Sequence, residues 1–197
     1  MTQEGRPRLG RHAKIGGEGD PEVFVADEQQ EIDLDLARWQ TLALRVLADE
    51  GVRGAAELSI MFVTEAEMAE LNESYMGKAG STDVLAFPLD APDVTQIVMP
   101  AGSSRGPDRA PADPGDVPLL LGDVVVCPAA AAHQAPTHAG TFDDEIALLI
   151  VHGILHVLGL DHAEAAEATE MRRREQAHLE AHHWHGPMPA GFRLEHQ

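Results

Sequence analysis

Strand, helix, strand, helix, two strands and then helices is the order in which apolar patterns run along this chain. That order predicts an α+β fold, a small mixed β-sheet packed with helices. Two further observations agree. At 197 residues and 44% hydrophobic content, one domain with one buried core is expected. The most apolar helical run, Ile146–Val151, comes late and would pack on the sheet made by the earlier strands.

Residues 1–20 hold several glycines and almost no large apolar side chain, the composition of a disordered N-terminal arm. Up to Gly17 the arm is basic, with Arg6, Arg8, Arg11 and Lys14 against Glu4. Such an arm can hold RNA, or it can be a dispensable extension. A single domain is expected over 21–180. Glu22–Asp27 reads as a first strand. Asp33–Glu50 reads as an amphipathic helix with Leu36, Trp39, Ala43, Val46 and Leu47 on one face and Gly51 as its stop. Leu58–Val63 is a second strand, and Thr64 with Glu67 forms a capping box that opens a short helix with Met68 and Leu71 inward. Asp83–Pro88 and Gly122–Cys127 are the third and fourth strands. Between them, 90–118 is dense in Pro, Gly, Asp and Ser and reads as a long loop or insertion. Thr141 and Asp144 cap a helix whose face Ile146, Leu149, Ile150 and Leu155 is core material. A last helix, charged on its outside, runs from Ala163 to about Glu180. Residues 181–197 are expected to be a flexible tail, where His182, His183 and His185 would bind metal only adventitiously.

The net charge is −19, from 33 acids against 14 bases, which disfavours strong binding to free nucleic acid because Lys and Arg contacts to phosphate supply most non-specific affinity. Between Gly54 and Met171 the only bases are Lys78, Arg105 and Arg109. Cys127 is the sole cysteine, so no internal disulfide can form, and a buried packing role is expected for it. The first residues lack the apolar centre of a signal peptide, and Ile146–Val151 is too short to span a bilayer. A soluble, cytoplasmic protein without a membrane partner is expected.

The chemistry is concentrated in His152-Gly153-Ile154-Leu155-His156-Val157-Leu158-Gly159-Leu160-Asp161-His162. Positions four apart on a helix share a face, so His152 and His156 can reach one ion. Gly159 can take the left-handed conformation that ends a helix, turning the chain back to offer His162. Three imidazoles leave a fourth position open on zinc, the mark of a catalytic site, here at the end of a helix. Zinc peptidases of this spacing carry Glu after the first His as general base, and that position is Gly153. Nickel, copper or cobalt would suit the same donors.

Together with two upstream segments, the histidine segment resembles the YbeY endoribonuclease family of bacterial rRNA maturation factors. Those segments are Leu71 through Pro88, with Tyr75, Lys78, Thr82 and Asp83 at matching positions, and Leu121-Gly122-Asp123-Val124-Val125. The likeness runs from about Val23 to Leu179. It implies a zinc-dependent, single-strand-specific endoribonuclease that matures the 3′ end of small-subunit rRNA and serves ribosome quality control. It implies one Zn2+ per chain on His152, His156 and His162, with single-stranded RNA or rRNA and the ribosomal small subunit as partners. Two positions depart from the pattern: the arginine after the tyrosine is Met76, and the acid after the lysine is Ala79. Met76 takes away a planar donor for phosphate oxygens that Lys78 replaces only as a point charge.

In this reading a zinc-bound water attacks the phosphodiester, or the 2′-hydroxyl of the RNA does, and no side chain stands out as general base. Asp161 is placed to orient a ligand histidine or to cap the turn at Gly159. Lys78 and Asp83 are candidate substrate-binding residues; a solvated lysine and a turn contact are the alternatives. Two other functions compete with a nuclease: a non-catalytic, zinc-stabilised ribosome-associated factor, and a zinc peptidase of unusual design.

Overall fold

A computed structural model of the chain describes residues 11–15, 20–89, 118–161 and 164–194. Among these residues five strands form one mixed sheet: β1 (Arg11–Ile15), β2 (Glu22–Asp27), β3 (Ala56–Phe62), β4 (Val84–Pro88) and β5 (Leu119–Val126), in the order β1-β2-β3-β5-β4. The central pairs β2–β3 and β3–β5 are parallel, and the outer pairs β1–β2 and β4–β5 are antiparallel. The helices are α1 (Leu36–Asp49), α2 (Glu65–Leu71), α3 (Pro128–Gln134), α4 (Phe142–Val157) and α5 (Ala165–His182). The α+β class expected from the sequence is the class observed.

Alternation along the strands divides the apolar residues between two faces. Val25, Leu58, Ile60, Phe62, Val124 and Val126 enter the main core with α1 and α4. Val125 and Leu85 point the other way, into a smaller cluster with Val63, Met68 of α2 and Cys127. Helix α1 crosses between β2 and β3 and starts where Asp35 accepts from the Arg38 amide at 3.2 Å. It is tied to the sheet by Gln40, whose Nε2 donates to the Val23 carbonyl at 2.6 Å. The capping box at Thr64 is present in full, with the Glu67 carboxylate accepting from the Thr64 amide.

Gly122 sits at the register shift of β5 against β3, with φ of 148°. A Cβ there would lie 2.2 Å from the Phe87 carbonyl oxygen, so only glycine lets β4 close on β5 at this point.

Four local features differ from the sequence expectation. Residues 11–15, assigned to a disordered arm, pair with β2 along its free edge. Backbone pairing of this kind leaves little apolar pattern to read, and the rest of the arm lies outside the described residues, as does the loop 90–118 apart from Pro118. Helix α3 and the π-helical turn Asn72–Met76 were not expected. Finally, 181–194 is packed rather than loose. Helix α5 continues to His182, Phe192 is buried, and Trp184, Met188 and Leu194 pack on the core. Trp184 and Phe192 meet edge to face at 4.7 Å, and the indole Nε1 donates to Asp144 at 2.6 Å.

Candidate metal centre

Helix α4 is the most deeply buried element of the fold. Its start is fixed by Thr141, whose hydroxyl accepts from the Asp144 amide at 3.1 Å. Burial pushes the Asp144 carboxyl up, but hydrogen bonds from Thr141, Trp184 and His183 outweigh it and hold the group below 3.8. Three turns of apolar side chains then carry the helix through the core to His152, which is buried, and His156, which is half-buried.

The two imidazoles converge. Their Nε2 atoms are 3.0 Å apart and their rings meet at 79° with centroids 4.5 Å apart. Tetrahedral zinc with nitrogen at 2.0–2.1 Å needs such atoms about 3.3 Å apart, a few tenths of an ångström away. Nδ1 of His152 lies 2.7 Å from Oε1 of Glu175 on α5, and both side chains are buried. An ionised carboxylate only accepts, so Nδ1 carries the proton and Nε2 presents its lone pair toward His156. A carboxylate behind a ligand histidine is the usual support of a metal site. The donor set fits a divalent ion of the zinc class.

After Leu158 the helix closes in a paired C-terminal motif. The Gly159 amide donates to the His156 carbonyl at 2.9 Å and the Leu160 amide to the Leu155 carbonyl at 3.0 Å, with Gly159 at φ 90°. This is the turn the sequence called for. It leads to Asp161 and then to His162, which lies outside the described residues.

Gly153 is silent for a steric reason. A Cβ built on it would lie 2.5 Å from Cγ1 of Val124, so the glycine is where α4 and β5 come into contact. A peptidase glutamate at this position would press its Cβ into the Val124 side chain, so packing as well as sequence disfavours the base here.

Upstream on α4 the fully buried Glu145 gathers a polar network. Its carboxylate meets Nδ1 of His138 at 2.9 Å and accepts from the Ala139 amide at 3.2 Å. Gln134 donates from Nε2 to both Glu145 Oε1, at 2.8 Å, and Asp83 Oδ2, at 2.7 Å. Asp83 also accepts from the Val84 amide at 2.8 Å. Its carboxylate therefore connects the start of β4 to α4, the turn contact weighed as one alternative for this residue. Lys78 is exposed just past the π-helical turn. Beside it, Tyr75 is 67% exposed and meets Phe87 edge to face at 5.0 Å, with Met76 also exposed.

Of the predicted site residues, then, His152 and His156 are brought together, and Lys78 and Asp83 lie on the segment between α2 and β4. Sequence reasoning missed Glu175, Glu145, Gln134 and His138. Glu145 had a usable signal, an acid on the inward side of a helix otherwise apolar. Glu175 had none, since it lies among the charged residues of α5.

The family model for endoribonuclease YbeY matches residues 24–183, most of the chain, from within β2 to the end of α5. The chain belongs to the endoribonuclease YbeY family. Among curated YbeY relatives, the endoribonuclease YbeY of Salinispora tropica is 45% identical over 149 residues, 76% of this chain and 88% of the relative. That of Acidothermus cellulolyticus is 46% identical over 150 residues, covering 76% and 84%. The YbeY of Mycobacterium tuberculosis is 40% identical over 149 residues, 76% of each. The solution structure of TM1509 from Thermotoga maritima shares the fold, with a TM-score of 0.52 at 24% identity over 80% of this chain and 87% of that one. No described helix is long and apolar enough to cross a membrane.

Proposed function

We propose that this YbeY-family chain is a zinc-dependent endoribonuclease that cuts single-stranded RNA in the cytoplasm, in maturation of the small-subunit rRNA 3′ end and in ribosome quality control. The observation that carries the zinc part is the convergence of His152 and His156 Nε2 with Glu175 behind His152. The curated relatives' name carries the RNA part.

His152, His156 and His162 would hold one zinc ion. When bound, it supplies Lewis acidity toward a phosphoryl oxygen and lowers the pKa of a water molecule. Glu175 keeps the His152 proton on Nδ1, so that Nε2 is always the donor atom. Gly153 lets α4 sit against Val124 and brings no competing carboxylate to the centre. Exposed Tyr75 offers a face for a splayed base, and Lys78 a point charge for phosphate. Asp83 and Gln134 hold the segment carrying both to α4. With 14 bases against 33 acids, the chain should bind free RNA weakly and gain from delivery of its substrate by the ribosomal small subunit.

Two features favour the second reading, a zinc-stabilised ribosome-associated factor without turnover: the net charge of −19 and Met76 in place of the arginine. One assay separates them. Zinc-loaded parent and His156→Ala are incubated with single-stranded RNA ending in the small-subunit rRNA 3′ sequence. Cleavage by the parent alone supports the nuclease. Zinc binding by the parent without cleavage, free or with small subunits added, supports the binding factor.

A further inference from the structure

The C-terminal end of α1 meets α5 through a second group of histidines and acids. Asp49 Oδ2 lies 2.6 Å from His182 Nε2 and 3.8 Å from His178 Nδ1. One ligand atom from each of the three residues falls within a sphere of 4.8 Å mutual separation. His178 is buried, and its Nε2 is 2.7 Å from Oε1 of Glu50. The carboxylate accepts from Nε2–H, which leaves the Nδ1 lone pair on the side of Asp49. This repeats the arrangement at His152, where Glu175 holds Nδ1 and Nε2 faces His156.

Sequence places the same elements on one face. Glu175, His178 and His182 are three and four residues apart, successive turns of α5. Glu175 turns to α4, and His178 and His182 to α1. The pair at i, i+4 has the spacing that serves His152 and His156 on α4.

We propose that Asp49, His178 and His182 form a second transition-metal site, taking a divalent ion such as Zn2+, Ni2+ or Co2+ and pinning α5 to the end of α1. Two imidazoles among three donors select this class over Mg2+ or Ca2+, which take oxygen. The separations of 2.6 and 3.8 Å bracket the roughly 3.3 Å expected of tetrahedral ligands, and all three ligand atoms lie within 4.8 Å of one another. Arg173 and Arg174 border the same cleft, but both are engaged by carboxylates, Arg173 with Glu170 and Arg174 with Glu50 and Glu170. The fourth position faces solvent, since Asp49 is exposed. His183, next in sequence, takes no part: its ring lies between Asp144 and Trp39.

The site is separable from the centre on α4, and the test keeps them apart. The full chain is stripped with a chelator and dialysed against Zn2+, and bound metal per chain is measured for four proteins. These are the parent, His156→Ala, the double variant Asp49→Asn/His182→Ala, and the triple variant combining all three. Asp49 is exposed and His182 half-buried, and thermal melting of each protein verifies that the double variant keeps the fold. Two equivalents in the parent, one in His156→Ala, one in the double variant and none in the triple variant are expected, with zinc raising the melting temperature of His156→Ala but not of the triple variant. The proposal is overturned if the triple variant binds as much zinc as His156→Ala, or if the double variant binds as much as the parent.

Discussion

Replacing Glu175 by Gln removes a charge from behind His152 while keeping a side chain of the same shape. In the native protein the carboxylate oxygen and Nδ1 are 2.7 Å apart, with side-chain exposures of 1% and 8%, so water neither screens the contact nor replaces it. The amide oxygen of Gln can still accept, but without charge, and hydrogen bonds to charged groups contribute about 1.5–3 kcal/mol against about 1 for neutral ones. The difference, about 0.5–2 kcal/mol, corresponds to a loss of roughly 2- to 30-fold in zinc affinity. Glu175→Ala removes the acceptor altogether and should reach about 100-fold, the upper end for partners of this type. Competition against a chromophoric chelator near neutral pH measures both, with melting of the zinc-free proteins as the control for folding. Zinc affinities of Glu175→Gln and Glu175→Ala equal to the parent's would refute the argument that this carboxylate fixes the donor atom of His152.

Other perturbations test the packing. Gly153→Ala brings a Cβ within 2.5 Å of Val124; overpacking of about 1–3 kcal/mol, less about 1 for the better helix former, should lower stability by up to about 2 kcal/mol. Chemical denaturation would detect that loss, and adding Val124→Ala should relieve part of it. Gly159→Ala, at φ 90°, should cost about 1–2 kcal/mol and weaken zinc binding by displacing the turn to His162; unchanged affinity would mean the turn does not position that residue. The Asp144 carboxyl is held below its ordinary value of 3.8, so its contribution is fully present above pH 3.8 and is lost as pH falls through the lowered value. Asp144→Asn should therefore be less stable than the parent at neutral pH by about 1–2 kcal/mol, and the gap should narrow on acidification below pH 3.8. A gap that is constant with pH would show that the charge is not what these partners stabilise.

Much of this fold was legible because its elements obey periodicity. The amphipathic stripe of α1, the alternation of β2 and β3, the capping box at Thr64 and the apolar run of α4 are local patterns, and each lies within a few residues of where it was expected. The metal segment was legible for the same reason, since helical spacing and one glycine define it. What was not legible depends on partners far along the chain. Glu175 reaches His152 across 23 positions, and His178 reaches Glu50 across 128. Nothing in the charged pattern of α5 distinguishes these inward residues from solvated ones. Strand β1 pairs with β2 through its backbone, and the C-terminal segment hid its packing because Trp184, Met188 and Phe192, though four residues apart, lie among Gly186, Pro187, Pro189 and Gly191, which keep the stretch from forming a helix. Gly153 carried a chemical message in sequence, the missing base, and its steric meaning emerged only with Val124 opposite it.

Cutting of RNA by the histidine centre on α4 must depend on zinc and on His162. The direct measurement is the rate of single-stranded RNA cleavage as stripped protein is titrated with zinc, run beside His162→Ala. A rate that rises as the centre fills and is absent from His162→Ala at every zinc concentration is expected. Equal cleavage by stripped parent, loaded parent and His162→Ala would contradict it.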